Sequence, residues 1–137
     1  MKTYIADTNF YLRFILQDVE RQAKKAEIYL TKAKSGLIQI FFPDETILEM
    51  EFVLRSYYSV KKDDIIKNLS GLIRMEYVDI ENRAIWEKAL EIYEKKNISL
   101  LDIFLFIKAG VLGAEVLSFD EDFKKLKRDY GRNIRIN

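Results

Sequence analysis

The chain has 137 residues, 49% of them hydrophobic and 33% charged, and its 23 basic and 22 acidic residues give a net charge of +1. This composition is typical of a soluble globular protein, and we predict one domain over residues 1–137. It excludes disordered and fibrous classes. The balanced charge gives no general attraction to nucleic acid or to membranes, so any such attraction must come from a local patch.

The sequence contains neither cysteine nor histidine. Their absence excludes thiol and imidazole nucleophiles, Ser-His triads and the usual zinc ligands. Any chemistry must therefore use carboxylates, hydroxyls, amides or cations. No apolar run is long enough for a signal peptide or a membrane span, so we expect a cytoplasmic protein with no membrane partner.

Short apolar runs alternate along the chain with segments at helical spacing. Residues 3–6 indicate a short buried strand, and a helix from about Val19 is predicted to end at Gly36 in a left-handed cap. Further strands are predicted over residues 37–42, 76–80 and 114–119, with a possible edge strand at 133–137. Further helices are predicted from Pro43, over residues 61–74 and 82–97, from Ser99 to Gly110, and over residues 120–131.

Short strands separated by helices predict the α/β class, with a mostly parallel sheet of about four to five strands covered on both faces. In such a sheet, ligands collect beyond the carboxyl ends of the strands. Asp7 directly follows the first strand in the stretch YIADTNFYL, and Asp120 directly follows the strand predicted over 114–119. These two carboxylates are therefore candidates for one shared edge of the sheet.

Two further acids belong to predicted helices. Asp102 lies in the first turn of a helix that is apolar nearly all round, and Glu49 flanks the apolar stripe of the helix from Pro43. A carboxylate is seldom buried unless it is paired or bound to metal, which makes Asp102 the least ordinary of the four. Helix capping stays open as its role, although Ser99 could equally supply that cap.

Each acid taken alone also has a simple structural explanation, because aspartate is favoured in turns and at helix caps. If the four converge, their repulsion requires raised pKa values or a divalent cation. Oxygen ligands without histidine or cysteine favour magnesium or manganese, which engage phosphate oxygens. The composition therefore suits hydrolysis of a phosphodiester.

The segments that carry these acids resemble, in order and spacing, the four acidic motifs of the PIN-domain nucleases. They are ADTNFYLRF, DETILEMEFVL, LLDIFLFIKAG and VLSFDEDFKKL. The nearest subgroup is the small VapC-type toxins of prokaryotic toxin and antitoxin pairs. The resemblance covers nearly the whole chain and implies a PIN-like three-layer α/β/α sandwich.

The resemblance implies a catalytic and metal-binding role for four residues: Asp7, Glu49, Asp102 and Asp120. It also implies supporting polar roles for Thr8, Asn9 and Ser118. In the family such acids hold one or two magnesium or manganese ions that cut RNA. Many members carry another acid three or four residues before the position of Asp102. This chain has Ile98 and Ser99 there, so it departs from the family pattern at the second metal site.

An endoribonuclease of this kind is expected to act on RNA, to form a homodimer and to be capped by an antitoxin protein. The alternative is a non-catalytic PIN-fold module that binds RNA or protein. A metal-dependent phosphatase fits less well, because Asn9 stands where a second aspartate is expected after the first strand.

The other acids and the basic run near the end are attributed mainly to solvated surface. The acids so interpreted are Asp18, Asp44, Asp63, Asp64, Asp122 and Asp129. The run Lys124, Lys125, Lys127 and Arg128 could meet an RNA backbone, but an exposed helix surface is the more ordinary interpretation. Glu49 and Glu51 flank the apolar stripe on opposite sides, and the resemblance selects Glu49.

Overall fold

A computed structural model of the protein describes residues 1–131. Three strands and seven helices are present in this part of the chain. In chain order they are β1 Lys2–Ile5, α1 Thr8–Leu16, α2 Glu20–Lys34, β2 Ile38–Phe42, α3 Asp44–Ser56, α4 Lys62–Ile73, β3 Asp79–Ile80, α5 Arg83–Lys95, α6 Leu100–Leu112 and α7 Asp122–Tyr130.

The chain divides into two compact units. The first, Met1–Asn82, holds the three strands and helices α1 to α4. The second begins at Arg83 and holds α5 to α7. The single domain expected over residues 1–137 stays a prediction.

The sheet of the first unit is parallel throughout, in the order β1-β2-β3. Tyr4 is paired with Ile40, and Phe42 with Ile80. The backbone N–H of Ala6 continues the first ladder by donating to the carbonyl of Phe41 at 2.8 Å. Parallel strands alternating with helices confirm the predicted α/β class.

The predicted number of four to five strands was wrong for the part of the chain that the structure describes. Residues 114–119 form neither strand nor helix, and the possible strand at 133–137 lies outside the described residues. Leu117 and Phe119 are fully exposed. A short, mainly apolar run favours extended structure, but a strand also needs a neighbouring strand to pair with, and none pairs with this run among residues 1–131.

Strand β1 is also less buried than predicted. Ala6, which directly follows the strand, is buried, whereas Ile5 is 73% exposed. The core of the first unit is instead supplied by β2 and the helices. The predicted apolar stripe of α3 contributes Ile47, Met50 and Leu54, which are completely buried. Val53 is half-buried, and Tyr57, which the spacing also placed on the stripe, is 78% exposed.

Helix ends follow the local signals closely. Gly36 follows α2 with a φ of 77°, which is the predicted left-handed cap. Helix α6 continues past Gly110 to Leu112, and Gly113 with a φ of 69° ends it, so the predicted end was two residues too early. Glycine is suited to both caps because it adopts positive φ without a steric penalty.

In the second unit, the indole ring of Trp86 on α5 stacks on the ring of Phe104 on α6, with centroids 4.2 Å apart. Both side chains are buried. Phe104 is two residues after Asp102, so the stacked rings pack the N-terminal half of α6 against α5. Among residues 1–131, no helix has both the length and the apolar character needed to cross a membrane.

Candidate active site

Asp7 is the N-cap of α1. Its Oδ1 atom accepts a hydrogen bond of 2.9 Å from the backbone N–H of Phe10, and its backbone is extended, with φ of −89° and ψ of 174°. This is the usual geometry of an aspartate cap. The carboxylate is solvent-exposed, at the point where the chain leaves β1. Capping therefore orients Asp7 at the carboxyl end of the sheet without burying it.

Glu49 on α3 is linked to the residue after Asp7. The hydroxyl of Thr8 donates a hydrogen bond of 3.0 Å to Oε2 of Glu49. Thr8 is buried, whereas Glu49 and Asn9 are exposed. The first unit thus holds two of the predicted acids beside the same short segment, and the supporting roles of Thr8 and Asn9 stay predictions.

Glu51, the other glutamate beside the apolar stripe, has a different environment. It is buried and forms an ion pair with Arg55 one turn later, with 2.8 Å between Oε2 and Nε. The geometry places Glu49 and Glu51 in separate surroundings, as expected for residues that flank a helical stripe on opposite sides.

The start of α3 is fixed by three hydrogen bonds within the first unit. The backbone N–H of Asp44 donates to Glu81 at 2.9 Å, and Nδ2 of Asn82 donates to the carboxylate of Asp44 at 2.6 Å. The hydroxyl of Thr46 donates to the carbonyl of Ala6 at 2.9 Å. Asp44 was predicted as an exposed helix start, and the exposure was wrong, since it is buried against Asn82.

An open groove of about 450 Å³ lies beside Asp7. Its lining is mainly apolar and aromatic, with Arg13 and Lys25 as its cations. Tyr29 packs edge-on against Tyr4, with ring centroids 5.3 Å apart. Asp7 therefore borders a groove with aromatic walls.

In the second unit, Ser99 is the N-cap of α6. Its Oγ atom accepts a hydrogen bond of 3.2 Å from the backbone N–H of Asp102. Asp102 is the third residue of the helix and is half-buried. Of the two caps that the sequence allowed, the structure uses Ser99, which leaves the carboxylate of Asp102 available for other contacts.

A compact turn precedes α7. The backbone N–H of Asp120 donates to the Ser118 hydroxyl at 3.0 Å, and the backbone N–H of Asp122 donates to Oδ1 of Asp120 at 2.9 Å. These are side-chain turns of the kind that serine and aspartate favour. The second of these bonds holds the carboxylate of Asp120 against the first residue of α7.

Asp102, Asp120 and Asp122 form an acidic cluster. Each offers a carboxylate oxygen, and these oxygens all lie within 4.8 Å of one another. Asp102 and Asp122 are half-buried and Asp120 is exposed. The structure therefore brings together two acids that the sequence selected, along with a third that it did not.

Asp122 was not predicted as a site residue, because an aspartate at the start of a predicted helix is usually a solvated surface residue. The signal available in the sequence was its spacing of two residues from Asp120, directly before a helix. Two aspartates at that spacing lie close together when the chain turns between them. Asp122 also forms an ion pair with Lys125, with 3.6 Å between oxygen and nitrogen.

The basic run beside the cluster is paired with acids. Lys124 contacts Glu121 at 3.3 Å, and Lys127 contacts Glu115 at 3.1 Å. Arg128 contacts Asp129 at 3.0 Å, and hydrogen bonds from Arg128 and Lys96 lower the pKa of Asp129 to about 2. These pairs agree with the interpretation of the run as helix surface rather than a free cationic patch.

Three carboxylates this close together repel one another, and a divalent cation relieves that repulsion. The donor set is oxygen only, which suits magnesium or manganese. In the first unit, Asp7 and Glu49 offer the same chemistry beside Thr8. Convergence of all four predicted acids stays a prediction of the sequence.

The first unit has a parallel sheet with Asp7 beyond the end of β1, and the second unit has an oxygen-only acidic cluster, which together are typical of an α/β protein with candidate metal-binding acids. The family model of the PIN domain matches residues 4–129, and the chain belongs to the PIN-domain family. Membership of this family confirms the PIN-like α/β/α fold class predicted from the sequence.

The chain is also similar to a curated relative, the VapC ribonuclease of Aquifex aeolicus (strain VF5). The two are 27% identical over 123 residues, which cover 89% of this chain and 90% of the relative. No solved structure matches the chain.

Proposed function

We propose that the protein is a metal-dependent endoribonuclease and the toxin of a type II toxin-antitoxin pair. The observation that carries the proposal is the acidic cluster of Asp102, Asp120 and Asp122, whose oxygens lie within 4.8 Å of one another. Membership of the PIN-domain family and similarity to a VapC ribonuclease support the same function.

In this proposal, Asp7, Glu49, Asp102 and Asp120 hold magnesium or manganese. Asp122 joins them as an additional ligand, in a chain that lacks the extra acid found in many relatives before the position of Asp102. A bound divalent ion supplies Lewis acidity toward a phosphate oxygen and activates water as a nucleophile. The protein supplies the carboxylates and keeps them oriented.

The orientation of three of these carboxylates has a local basis. The backbone N–H of Phe10 holds Oδ1 of Asp7, and the Thr8 hydroxyl holds Oε2 of Glu49. The backbone N–H of Asp122 holds Oδ1 of Asp120. Because these contacts restrict side-chain rotation before any ligand arrives, they reduce the entropy that ion binding must overcome.

The substrate proposed here is RNA, and the expected partners are a cognate antitoxin and a second copy of the chain in a homodimer. The VapC ribonuclease relative supports an RNA substrate. Action on cellular RNA would agree with the cytoplasmic location expected from the sequence.

The experiment that tests the function uses purified protein and labelled RNA with single-stranded and looped regions. We expect cleavage with magnesium or manganese, and loss of cleavage in excess chelator. Asp102→Asn should lower the rate by at least about 10²-fold, on the scale of losing a key electrostatic group. The matched control is Asp63→Asn, which changes an exposed acid in the first turn of α4.

Cleavage at an undiminished rate in excess chelator would overturn the metal mechanism. An inactive parent that still binds RNA or a partner protein would favour the non-catalytic module. Equal losses in the Asp102 and Asp63 variants would show that the cluster has no special role.

A further inference from the structure

Two threonine hydroxyls connect α3 to the residues on either side of Asp7. Thr8 donates to Glu49 at 3.0 Å, and Thr46 donates to the carbonyl of Ala6 at 2.9 Å. Ala6 and Thr8 are the immediate neighbours of Asp7 in the chain. We name Thr8 and Thr46 the threonine clamp.

The two hydrogen bonds of the clamp run in opposite directions between the same two segments. Thr46 and Glu49 are three residues apart in α3, so they share one face of the helix and are separated along its axis by about 4.5 Å. One bond alone would leave α3 free to pivot about it. Two bonds restrict both the sliding and the rotation of α3 relative to the backbone of Asp7.

The Ala6 end of the clamp is buried and already held by the sheet. Ala6 is 4% exposed and Thr46 is 6% exposed. The N–H of Ala6 donates to Phe41 in the β1-β2 ladder, while its carbonyl accepts from Thr46. The backbone before Asp7 is therefore fixed to β2 on one side and to α3 on the other.

We infer that Thr46 is a positioning residue for the metal site, setting the distance between the carboxylates of Asp7 and Glu49. The inference rests on the proposed function. Thr46 acts through the backbone of Ala6 and through its own helix, without touching metal or RNA. Residues that orient metal ligands in this indirect way typically change metal affinity by about 10- to 100-fold when they are replaced.

The experiment compares Thr46→Val, which keeps the shape and removes the hydroxyl, with Thr46→Ser, which keeps the hydroxyl. The control is Ile47→Val, a change at the adjacent, completely buried position that weakens packing without removing a hydrogen bond. Four quantities are measured for each protein. They are the manganese dependence of RNA cleavage, the KM for RNA, the manganese affinity by calorimetry and the thermal midpoint without metal.

We expect Thr46→Val to raise the manganese concentration for half-maximal cleavage by about 10-fold or more, with a matching loss in the calorimetric affinity. The KM for RNA should stay within about threefold of the parent, because the clamp does not reach the substrate. Thr46→Ser should restore most of the manganese affinity. Ile47→Val should lower the thermal midpoint while leaving the manganese dependence unchanged.

A Thr46→Val protein with the manganese affinity of the parent would overturn the inference, and so would an equal loss of affinity in Ile47→Val. If Thr46→Val does not fold, Thr46→Cys replaces it, because a thiol is a weak hydrogen-bond donor. The manganese affinity of Thr46→Cys should then be lower than that of Thr46→Ser, and equal affinities would overturn the inference. Failure of the parent itself to bind manganese would instead reject the proposed function, and the role of Thr46 with it.

Discussion

The Thr8 hydroxyl and the Glu49 carboxylate are joined by a hydrogen bond of 3.0 Å, so the glutamate of α3 is held beside the residue that follows Asp7. Glu51, two positions later, is buried in an ion pair with Arg55. The two glutamates of one helix therefore have different structural roles, and a pair of matched substitutions separates them.

Glu49→Gln should lower RNA cleavage by at least about 10²-fold, because it removes the charge while glutamine still accepts the Thr8 hydrogen bond. Glu51→Gln should leave the rate within a few-fold of the parent, since the new amide oxygen still accepts from Arg55. Single-turnover cleavage at saturating metal measures both. If the two variants exchanged these outcomes while both stayed folded, the assignment of Glu49 would be wrong.

Divalent metal should stabilise the folded protein, because ion binding to clustered carboxylates favours the native state. At free manganese about 100-fold above its dissociation constant, the expected gain is about 2.7 kcal/mol. The thermal midpoint of the parent should rise on adding manganese, and Asp7→Asn and Asp102→Asn should respond less. Equal midpoints of the parent with and without millimolar manganese would leave the clustered acids without a metal role.

Local signals predicted much of the fold. Helix α3 begins at Asp44 after Pro43, and its stripe of Ile47, Met50 and Leu54 is buried, because helix starts and amphipathic spacing depend on near neighbours only. The cap of α6 at Ser99 follows from the same kind of signal. Such features need no knowledge of distant residues.

The features that sequence patterns missed depend on distant residues. Residues 114–119 have strand-like composition, but a strand exists only where another backbone pairs with it. Asp44 is buried, and its carboxylate accepts a hydrogen bond from Asn82, 38 residues later. Helical spacing cannot reveal either partner.

The candidate site was likewise predicted only in part. The family resemblance selected Asp102 and Asp120, and the structure places them in one cluster. It passed over Asp122, because the closeness of the three acids depends on a turn and on α6, which begins about 20 residues earlier in the chain. Thr46 was missed since its partner is a backbone carbonyl, which leaves no trace in the sequence.

Acid should weaken the contact between Asp129 on α7 and the end of α5. Hydrogen bonds from Arg128 and Lys96 lower the pKa of Asp129 from 3.8 to about 2. A carboxyl whose folded pKa is depressed stabilises the fold above its ordinary pKa, and this contribution is lost as the pH falls from about 4 to about 2. The thermal midpoints of the parent and of Asp129→Asn should therefore differ near about pH 6 and converge near about pH 2.

Calorimetry of the parent and of Asp129→Asn at several pH values measures this effect. All other titrating groups are the same in the two proteins, so their contributions cancel in the difference between the thermal midpoints. A difference in midpoint that stays constant from about pH 6 to about pH 2 would contradict the role of the Asp129 carboxylate. High salt should reduce the difference, since the pair is close to solvent.

Asp122 offers the sharpest test of the acidic cluster, because neither the sequence pattern nor the family resemblance selects it. Its carboxylate lies within 4.8 Å of those of Asp102 and Asp120, whereas its neighbour Glu121 pairs with Lys124 on the surface at 3.3 Å. Asp122→Asn should weaken manganese binding by roughly 10-fold, since it removes one charge from the ligand set and keeps the size of the side chain. Glu121→Gln, one position earlier, should leave manganese binding unchanged. Manganese titration calorimetry of the two variants decides the matter, and equal affinities would show that Asp122 is only the first residue of α7.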